Sequence, residues 1–315
     1  MSPPHLKPSA SASPPLRSTQ STGVIYAIFA YGSWGLLPLY WKLFEGIPAV
    51  EVLSHRMIWS MMFLIGILLL QRRMPELAAV WSSPGKLKFL LASASLLAFN
   101  WGLYIYGVNT DRVVETSLGY YINPLVTVLL GMVVLKERLD RIQWIALGLA
   151  IAGVTIFIWD FGQVPWIALG LAFSFAFYGL LRKIVAIAPM VGLAVETLLI
   201  APFMLMLVVY WEATGEGSLG NNLLITLAFM GAGIVTSMPL LWFNNAAKRL
   251  RLSTMGFFQY IAPSIQLVLG VFLYQEPFTP THLVTFGFIW TALALYSLNT
   301  WLKSRTPKPD IQPDA

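Results

Sequence analysis

Three ionisable side chains lie inside stretches of sequence that are otherwise almost entirely apolar. His55 and Arg56 are adjacent near the start of the stretch 52–70, and Glu196 lies in the stretch 190–211. A charge inside a lipid-spanning segment is costly and usually faces a cavity, a partner or an ion pathway. A buried carboxylate or imidazole whose surroundings change can also bind and release a proton. Glu196 is therefore the first candidate for a proton-coupling residue, followed by His55 and Arg56.

Arg56 and Glu196 also have a structural interpretation. Arg56 lies about one turn into its stretch, so its long side chain could reach the lipid headgroups. Glu196 could form an ion pair with Arg182 or Lys183. The sequence leaves both interpretations open.

A second group of candidates combines amides with aromatic rings, which suits the binding of an amphipathic organic molecule. In the stretch 113–135, Thr116, Tyr120, Asn123 and Thr127 are spaced four, three and four residues apart and therefore share one helix face. The candidate binding residues are Asn100, Trp101, Tyr104, Tyr120, Asn123, Trp242, Asn244, Asn245, Gln259 and Gln266. These amides could instead only bond neighbouring helices to one another.

Composition shows the environment in which these residues lie. The chain has 315 residues, of which 57% are apolar and 11% are charged, and its mean hydropathy is +0.70. So few charges cannot cover a water-soluble globule of this size, and lipid is the natural surrounding. Since a membrane helix needs about 20 mostly apolar residues, we predict an all-α membrane protein with ten transmembrane helices. The predicted spans are 24–43, 52–70, 89–108, 113–135, 142–159, 164–181, 190–211, 222–246, 254–275 and 281–302.

The two halves of the chain repeat each other. With a shift of 139 positions, Asn123-Pro124 aligns with Ala262-Pro263, and Glu137 aligns with Glu276. Each copy holds five spans, an odd number, so the second copy must cross the membrane in the opposite direction. We expect a first repeat over 23–160 and a second, inverted repeat over 161–302, with polar tails at 1–22, expected to be disordered, and 303–315. Inverted repeats are typical of alternating-access carriers, whose sites lie between the repeats near the membrane midplane.

Pro124 and Pro263 lie at corresponding places in the two repeats. Proline removes one backbone hydrogen bond of a helix and frees a carbonyl group. We therefore predict a helix break at each proline, close to the binding region.

Basic residues predict the orientation. Nearly all of the 20 Lys and Arg residues fall on one side if both termini are cytoplasmic; Lys42 and Arg112 fall on the other side, and Arg56 lies within a span. Because these charges form short clusters between apolar spans, the net charge of +6 indicates membrane topology and not a nucleic-acid partner.

Several classes of chemistry find no support in the sequence. The chain has no cysteine, and its three histidines, His5, His55 and His282, are far apart in the sequence, so we expect no metal site. It contains no HExxH, GxSxG or Walker A motif. We expect no cofactor and no enzymatic activity, although an integral-membrane enzyme stays the least favoured alternative.

Strings along almost the whole chain resemble the EamA-type carriers of the drug/metabolite transporter superfamily, most closely the RarD branch. They include SHRMIWS at 54–60, NWGLYIYGVN at 100–109, SLGYYINPLVTVLLG at 117–131, YGLLRK at 178–183 and GFFQYIAPSIQ at 256–266. The resemblance implies a ten-helix fold in the bacterial inner membrane, with both termini cytoplasmic. It also implies a secondary transporter that moves a small metabolite, amino acid or drug-like molecule.

The expected partners are a small-molecule substrate and the lipid bilayer. We expect export by alternating access, and a uniporter or exchanger is the alternative. Protons as the coupling ion and a homodimer are left open by the sequence.

Overall fold

The computed structural model describes residues 16–110, 112–273, 275 and 280–305, and within them the chain is helical with short connections. The elements are α1 (Leu16–Trp41), the 3-10 helix η1 (Lys42–Phe44), α2 (Ala49–Leu70), α3 (Met74–Trp81), α4 (Pro84–Asn109), α5 (Val113–Val133), α6 (Arg141–Phe161), α7 (Trp166–Ile184), α8 (Pro189–Thr214), α9 (Leu223–Arg249), α10 (Leu252–Gln259), α11 (Ile261–Phe272) and α12 (Pro280–Arg305).

Ten stretches of the described chain are long and apolar enough to cross a membrane, which confirms the predicted number of spans. The short helix α3 is additional, and α10 and α11 together form the ninth span. Helix α1 begins at Leu16, within the predicted tail 1–22, and α12 continues to Arg305, past the predicted end at 302. Glu276, the repeat mate of Glu137, lies outside the described residues.

Successive spans run in opposite directions, so their connections lie at two faces of the bundle. We call the face with segments 71–83, 134–140, 185–188 and 250–251 the basic face. The face with segments 42–48, 162–165 and 215–222 and with residues 110 and 112 is the opposite face.

Packing between the spans follows the repeat. Helix α1 packs along α9, and its repeat mate α7 packs along α4; likewise α5 packs on α7, and its mate α10–α11 packs on α1. Three other extensive contacts pair a helix with its own mate: α2 with α8, α5 with α10, and α6 with α12. The fold is therefore two five-helix repeats of opposite direction whose helices interleave.

Glycines allow the closest of these contacts, because small residues let membrane helices approach backbone to backbone. A Cβ atom at Gly256 in α10 would lie 2.7 Å from the carbonyl oxygen of Pro124 in α5. One at Gly233 in α9 would lie 2.4 Å from the carbonyl carbon of Trp59 in α2. Both pairs of helices therefore touch through their main chains.

Of the two predicted helix breaks, the one near Pro263 is present and the one at Pro124 is absent. The ninth span does break, at Tyr260, three residues before Pro263. Helix α5, however, runs through Pro124 without interruption. One missing backbone bond bends a helix but need not end it when neighbouring helices hold both halves in place, and α5 is packed against α7 and α10.

The loop before α6 bonds the first repeat to α12 of the second repeat at the basic face. Asp140 caps α6 by accepting hydrogen bonds from the Ile142 and Gln143 amides. It also accepts bonds from Asn299 (2.8 Å) and Lys303 (2.6 Å) of α12. Burial acts to raise the pKa of Asp140, but the bonds from Lys303, Gln143 and Asn299 outweigh it and lower this pKa to about 2. The carboxylate therefore stays charged and keeps α6 on α12.

Replacing Gly233 by alanine should test the α2–α9 contact. The new methyl group has only main-chain atoms to displace, and overpacking of this kind costs about 1–3 kcal/mol. We expect a lower thermal midpoint in detergent. Gly66→Ala is the matched control, since no atom lies within 4 Å of the added carbon, and it should change stability by less than about 1 kcal/mol. Equal midpoints for the two variants would contradict the close contact.

Single cysteines should report the orientation, because the chain has none of its own. Glu216 at the opposite face and Gln71 at the basic face are both exposed. If the basic face is cytoplasmic, a membrane-impermeant maleimide should label Glu216→Cys in intact cells, whereas Gln71→Cys should react only after permeabilisation. The reverse pattern would contradict the orientation expected from the basic residues.

Candidate substrate cavity

A cavity of about 620 Å³ lies between the repeats. We call it the central cavity. Residues that line it include Tyr31, Trp34, Trp41, Phe44, Arg56, Asn100, Trp101, Tyr104, Thr116, Ser117, Tyr120, Asn123, Phe175, Gln259, Pro263 and Gln266. They extend from η1 at the opposite face to the middle of the bundle, and none comes from the described loops of the basic face. The cavity is therefore associated with one side of the protein.

Seven of the ten candidate binding residues line this cavity: Asn100, Trp101, Tyr104, Tyr120, Asn123, Gln259 and Gln266. Spacing within one helix placed Tyr120 and Asn123 on a shared face, and the repeat pointed to Gln259 and Gln266. Pro263 also lines the cavity, whereas Pro124 does not.

The amides at the cavity wall also join helices. The Asn100 side chain in α4 donates to the Leu171 carbonyl (2.9 Å) and the Ser174 hydroxyl (2.8 Å) of α7. Asn123 in α5 donates to the Ala172 carbonyl (2.8 Å), and Gln266 in α11 donates to the Trp34 carbonyl (3.2 Å). These bonds use the amide NH₂ groups, so the wall offers a small molecule mainly acceptor oxygens, aromatic faces and one guanidinium group.

That guanidinium belongs to Arg56. It lies 5.1 Å from the ring centre of Trp41 and 5.1 Å from that of Trp101, within the range of cation–π attraction. The side chain is only partly buried, although its Nε atom is buried and has no hydrogen-bond partner among the described residues. Arg56 therefore faces the cavity, and the alternative that it reaches the headgroups is not what the structure shows.

Three candidates lie away from the cavity, all on α9. Trp242 packs against Phe29 with ring centres 5.3 Å apart. Asn244 is fully buried and accepts from the Arg182 Nε (3.2 Å), while Asn245 bonds the Leu241 carbonyl and the Arg249 guanidinium. Helix α9 is apolar around most of its circumference, so its sequence did not indicate which face would meet the cavity.

Glu196 lies in a buried polar cluster near the basic face. We call the set Ser93, Tyr178, Arg182, Glu196 and Asn244 the inner cluster. Arg182 and Glu196 are 0% exposed, and their charged groups approach to 3.4 Å. Ser93 donates to one Glu196 oxygen, and Tyr178 donates to the other (3.4 Å). The ion pair weighed as the structural interpretation of Glu196 is therefore present.

Arg182 is more deeply buried than its place in the sequence indicated. Its position beside Lys183 at the end of a predicted span indicated a basic segment between spans. Instead its side chain is buried among α7, α8 and α9, and it also donates to the Pro189 carbonyl (3.0 Å). A Cβ atom at Gly192 would lie 2.1 Å from its Nη1 atom, so this glycine makes the space for the guanidinium. The signal available for the pair was the isolated carboxylate of Glu196 in an apolar stretch, for which Arg182 or Lys183 was the suggested partner.

Two lysines near the inner cluster also bond helix ends to one another at the basic face. Lys183 donates to the carbonyls of Ala247 (3.0 Å) and Leu250, and Lys248 donates to the Val185 carbonyl. These bonds join the ends of α7 and α9. Glu137 of the loop after α5 accepts from the amides of Leu252 (2.7 Å) and Ser253 (2.9 Å) at the start of α10.

His55 lies away from both sites. Its ring stacks on Phe229 with centres 4.1 Å apart, and its Nε2 atom has no hydrogen-bond partner in the described structure. One potential ligand atom each from Glu51, His55 and Glu212 lies within 4.8 Å of the others, a grouping that the wide spacing of the histidines did not suggest. Both carboxylates already bond the 215–222 loop, Glu51 to the Ser218 amide (2.7 Å) and Glu212 to the Leu219 amide (3.2 Å).

Comparison with known proteins agrees with this architecture. The EamA-like transporter family matches residues 21–159. The chain is 46% identical to Protein RarD of Salmonella typhi over 88% of this chain and 95% of that protein. It is 44% identical to Protein RarD of Escherichia coli (strain K12), over 91% and 97% respectively. An uncharacterized transporter of Bacillus subtilis (strain 168), YojE, is 44% identical over 88% of this chain and 94% of that protein.

One solved crystal structure superposes with a TM-score of 0.70 at 18% identity. The match covers 89% of this chain and 98% of the chain in that structure. At that identity the match concerns the fold alone. The relatives, in contrast, are similar in sequence over nearly their full length. The chain therefore belongs to the EamA-like transporter family, as a multi-pass membrane transporter of the RarD type.

Proposed function

We propose that this transporter is a secondary carrier that moves a small metabolite, amino acid or drug-like molecule through the central cavity by alternating access. The observation that carries the proposal is an asymmetry. The cavity is lined from the opposite face to the middle of the bundle, whereas a buried ion pair and several bonds between helix ends close the basic face. A carrier needs such one-sided access together with a second state in which it is reversed.

The repeat supplies a means of reversal. Because the two copies have opposite directions, exchanging their conformations would close the opposite face and open the basic face around the same cavity. In that exchange the inner cluster has to separate, since it joins α7 and α8 with α4 and α9. Arg182 and Glu196 are thus proposed as the contact that holds the basic face closed.

The resemblance favours export. With the basic face in the cytoplasm, the described conformation has its cavity associated with the outer side, the state in which an exporter would release its substrate. The alternative of a uniporter or exchanger uses the same geometry without a driving ion. An enzyme remains the least favoured class, since the cavity wall offers no nucleophile–base pair among its described lining residues.

Glu196 is the proposed proton-coupling residue. A proton on Glu196 would leave the Arg182 guanidinium buried without a counter-charge, which is strongly unfavourable. Protonation would therefore favour separation of the inner cluster and opening of the basic face. Through this link a proton gradient could drive the conformational cycle.

A single cysteine should show that transport passes through the cavity. Ser117 lines the cavity toward the opposite face and is partly exposed. We expect a membrane-impermeant thiosulfonate to abolish transport by Ser117→Cys in proteoliposomes, measured by mass spectrometry with a panel of amino acids and aromatic drugs. The matched control Ser82→Cys lies at the exposed end of α3 and should stay active after modification. Unchanged transport by modified Ser117→Cys would contradict the route.

Substitution of Glu196 by glutamine should separate coupling from transport. We expect accumulation driven by a pH gradient to be lost, with saturable exchange in the absence of a gradient retained. Glu216→Gln, which removes an exposed carboxylate at the opposite face, is the matched control. Gradient-driven accumulation that survives in Glu196→Gln would remove this residue from the coupling role.

The ion pair predicts a further result for stability. Arg182→Gln leaves the Glu196 carboxylate buried and unpaired, which should cost about 3–5 kcal/mol. The double variant Arg182→Gln/Glu196→Gln should recover most of this loss in thermal unfolding. A double variant as unstable as the sum of the single variants would contradict a direct pair.

A further inference from the structure

We propose that the central cavity selects a monoanionic organic molecule whose carboxylate lies against the Arg56 guanidinium and whose apolar part lies among the aromatic walls. This inference rests on the proposed function, because it names the substrate class of the same cavity.

The first observation is that Arg56 is held in place before any ligand arrives. The rings of Trp41 and Trp101 both lie near its guanidinium, at equal ring-centre distances of 5.1 Å. One tryptophan comes from the end of α1 and the other from α4. A guanidinium fixed in this way loses little conformational freedom on binding, which strengthens recognition of a planar anion.

The second observation is that no carboxylate among the described residues pairs with Arg56, whereas two other arginines of the bundle each have one. Arg182 pairs with Glu196 (3.4 Å) and Arg112 with Glu115 (2.5 Å). The nearest acid along α2, Glu51, bonds the Ser218 amide and hydroxyl instead. A cation in such surroundings favours an anionic partner, and the cavity is the open space beside it.

Charge and shape indicate the class of anion. Arg56 is the only basic side chain that lines the cavity among the described residues, so one negative charge balances it, whereas a phosphate monoester would bring nearly two. The planar fork of a guanidinium also matches the two oxygens of a carboxylate. Tyr104 and Tyr120 also line the cavity and are exposed, so their hydroxyl groups are available as donors to an anion bound there.

The walls indicate what the carboxylate is attached to. Trp34, Phe44, Phe175 and Leu240 supply apolar surface to the cavity, and three of the amide side chains there already donate to main-chain carbonyls. An aromatic or branched aliphatic body therefore fits better than a sugar, which would need many donors.

Matched probe pairs test the proposal on the unmodified protein. Benzoate with benzamide, phenylacetate with phenylacetamide, and isovalerate with isovaleramide share their apolar parts and differ in charge; phenyl phosphate supplies a dianion. Binding is measured by thermal stabilisation of purified protein and by competition between probes. We expect at least one carboxylate to bind about tenfold or more tightly than its amide and more tightly than phenyl phosphate.

Variants assign the preference to Arg56. Arg56→Gln should reduce the preference for carboxylate over amide to near unity, and Arg56→Lys should restore part of it because the charge is kept. Arg112→Gln is the matched control: Arg112 also lies over a tryptophan, Trp166 (5.0 Å), but does not line the cavity, so its preference should equal that of the unmodified protein.

Three results would overturn the proposal: no carboxylate that binds more tightly than its amide, stronger binding of phenyl phosphate, or an unchanged preference in Arg56→Gln. Failure of the carrier proposal is distinguishable from these. If amides are transported saturably without any preference for charge, the carrier stands and the role of Arg56 fails. If carboxylates bind through Arg56 but nothing crosses the membrane, the binding site stands and the carrier fails.

Discussion

Compensation of charge inside an apolar bundle is the constraint on which this structure depends. Lipid offers no partner to a buried ion, so each one has to be neutralised by the protein or face a polar space. Two arginines of the described spans meet this constraint differently. Arg182 is neutralised by Glu196 and closed off from solvent. Arg56 has no acidic partner among the described residues and lies beside the central cavity. In the mechanism proposed above, the first arginine would close a face of the protein and the second would bind the ligand.

The inverted repeat places the central cavity and the buried ion pair in one arrangement of helices. Interleaved helices place the cavity where the two copies meet, and the main-chain contacts at Gly233 and Gly256 keep the helices of the two copies close together. The inner cluster and the bonds of Lys183 and Lys248 then join helix ends at the basic face. In the proposed cycle, separation of these contacts would let the two faces exchange roles around the same cavity.

Span number, the repeat and part of the cavity wall could be predicted from sequence, because these follow from the length of apolar stretches and the spacing along a helix. Tyr120 and Asn123 share a face by spacing alone, and Gln259 follows from the repeat. The rotation of a helix about its axis could not be predicted where apolar residues surround it, which is why Trp242, Asn244 and Asn245 were misplaced. The ion pair of Arg182 with Glu196 was one of two open interpretations, but the complete burial of Arg182 could not be predicted because packing among three helices leaves no local pattern. The break predicted at Pro124 is absent, because packing on both sides of α5 lets its helix continue.

Distances across the two faces, measured by electron–electron resonance between spin labels, test the central claim of alternating access most directly. One pair of cysteines at Ser82 and Lys136 spans the basic face, and another at Gln163 and Glu216 spans the opposite face; all four positions are exposed. During turnover with a transported compound, we expect a population in which the first distance is longer and the second is shorter. Two distances that stay unchanged while transport proceeds would contradict the account.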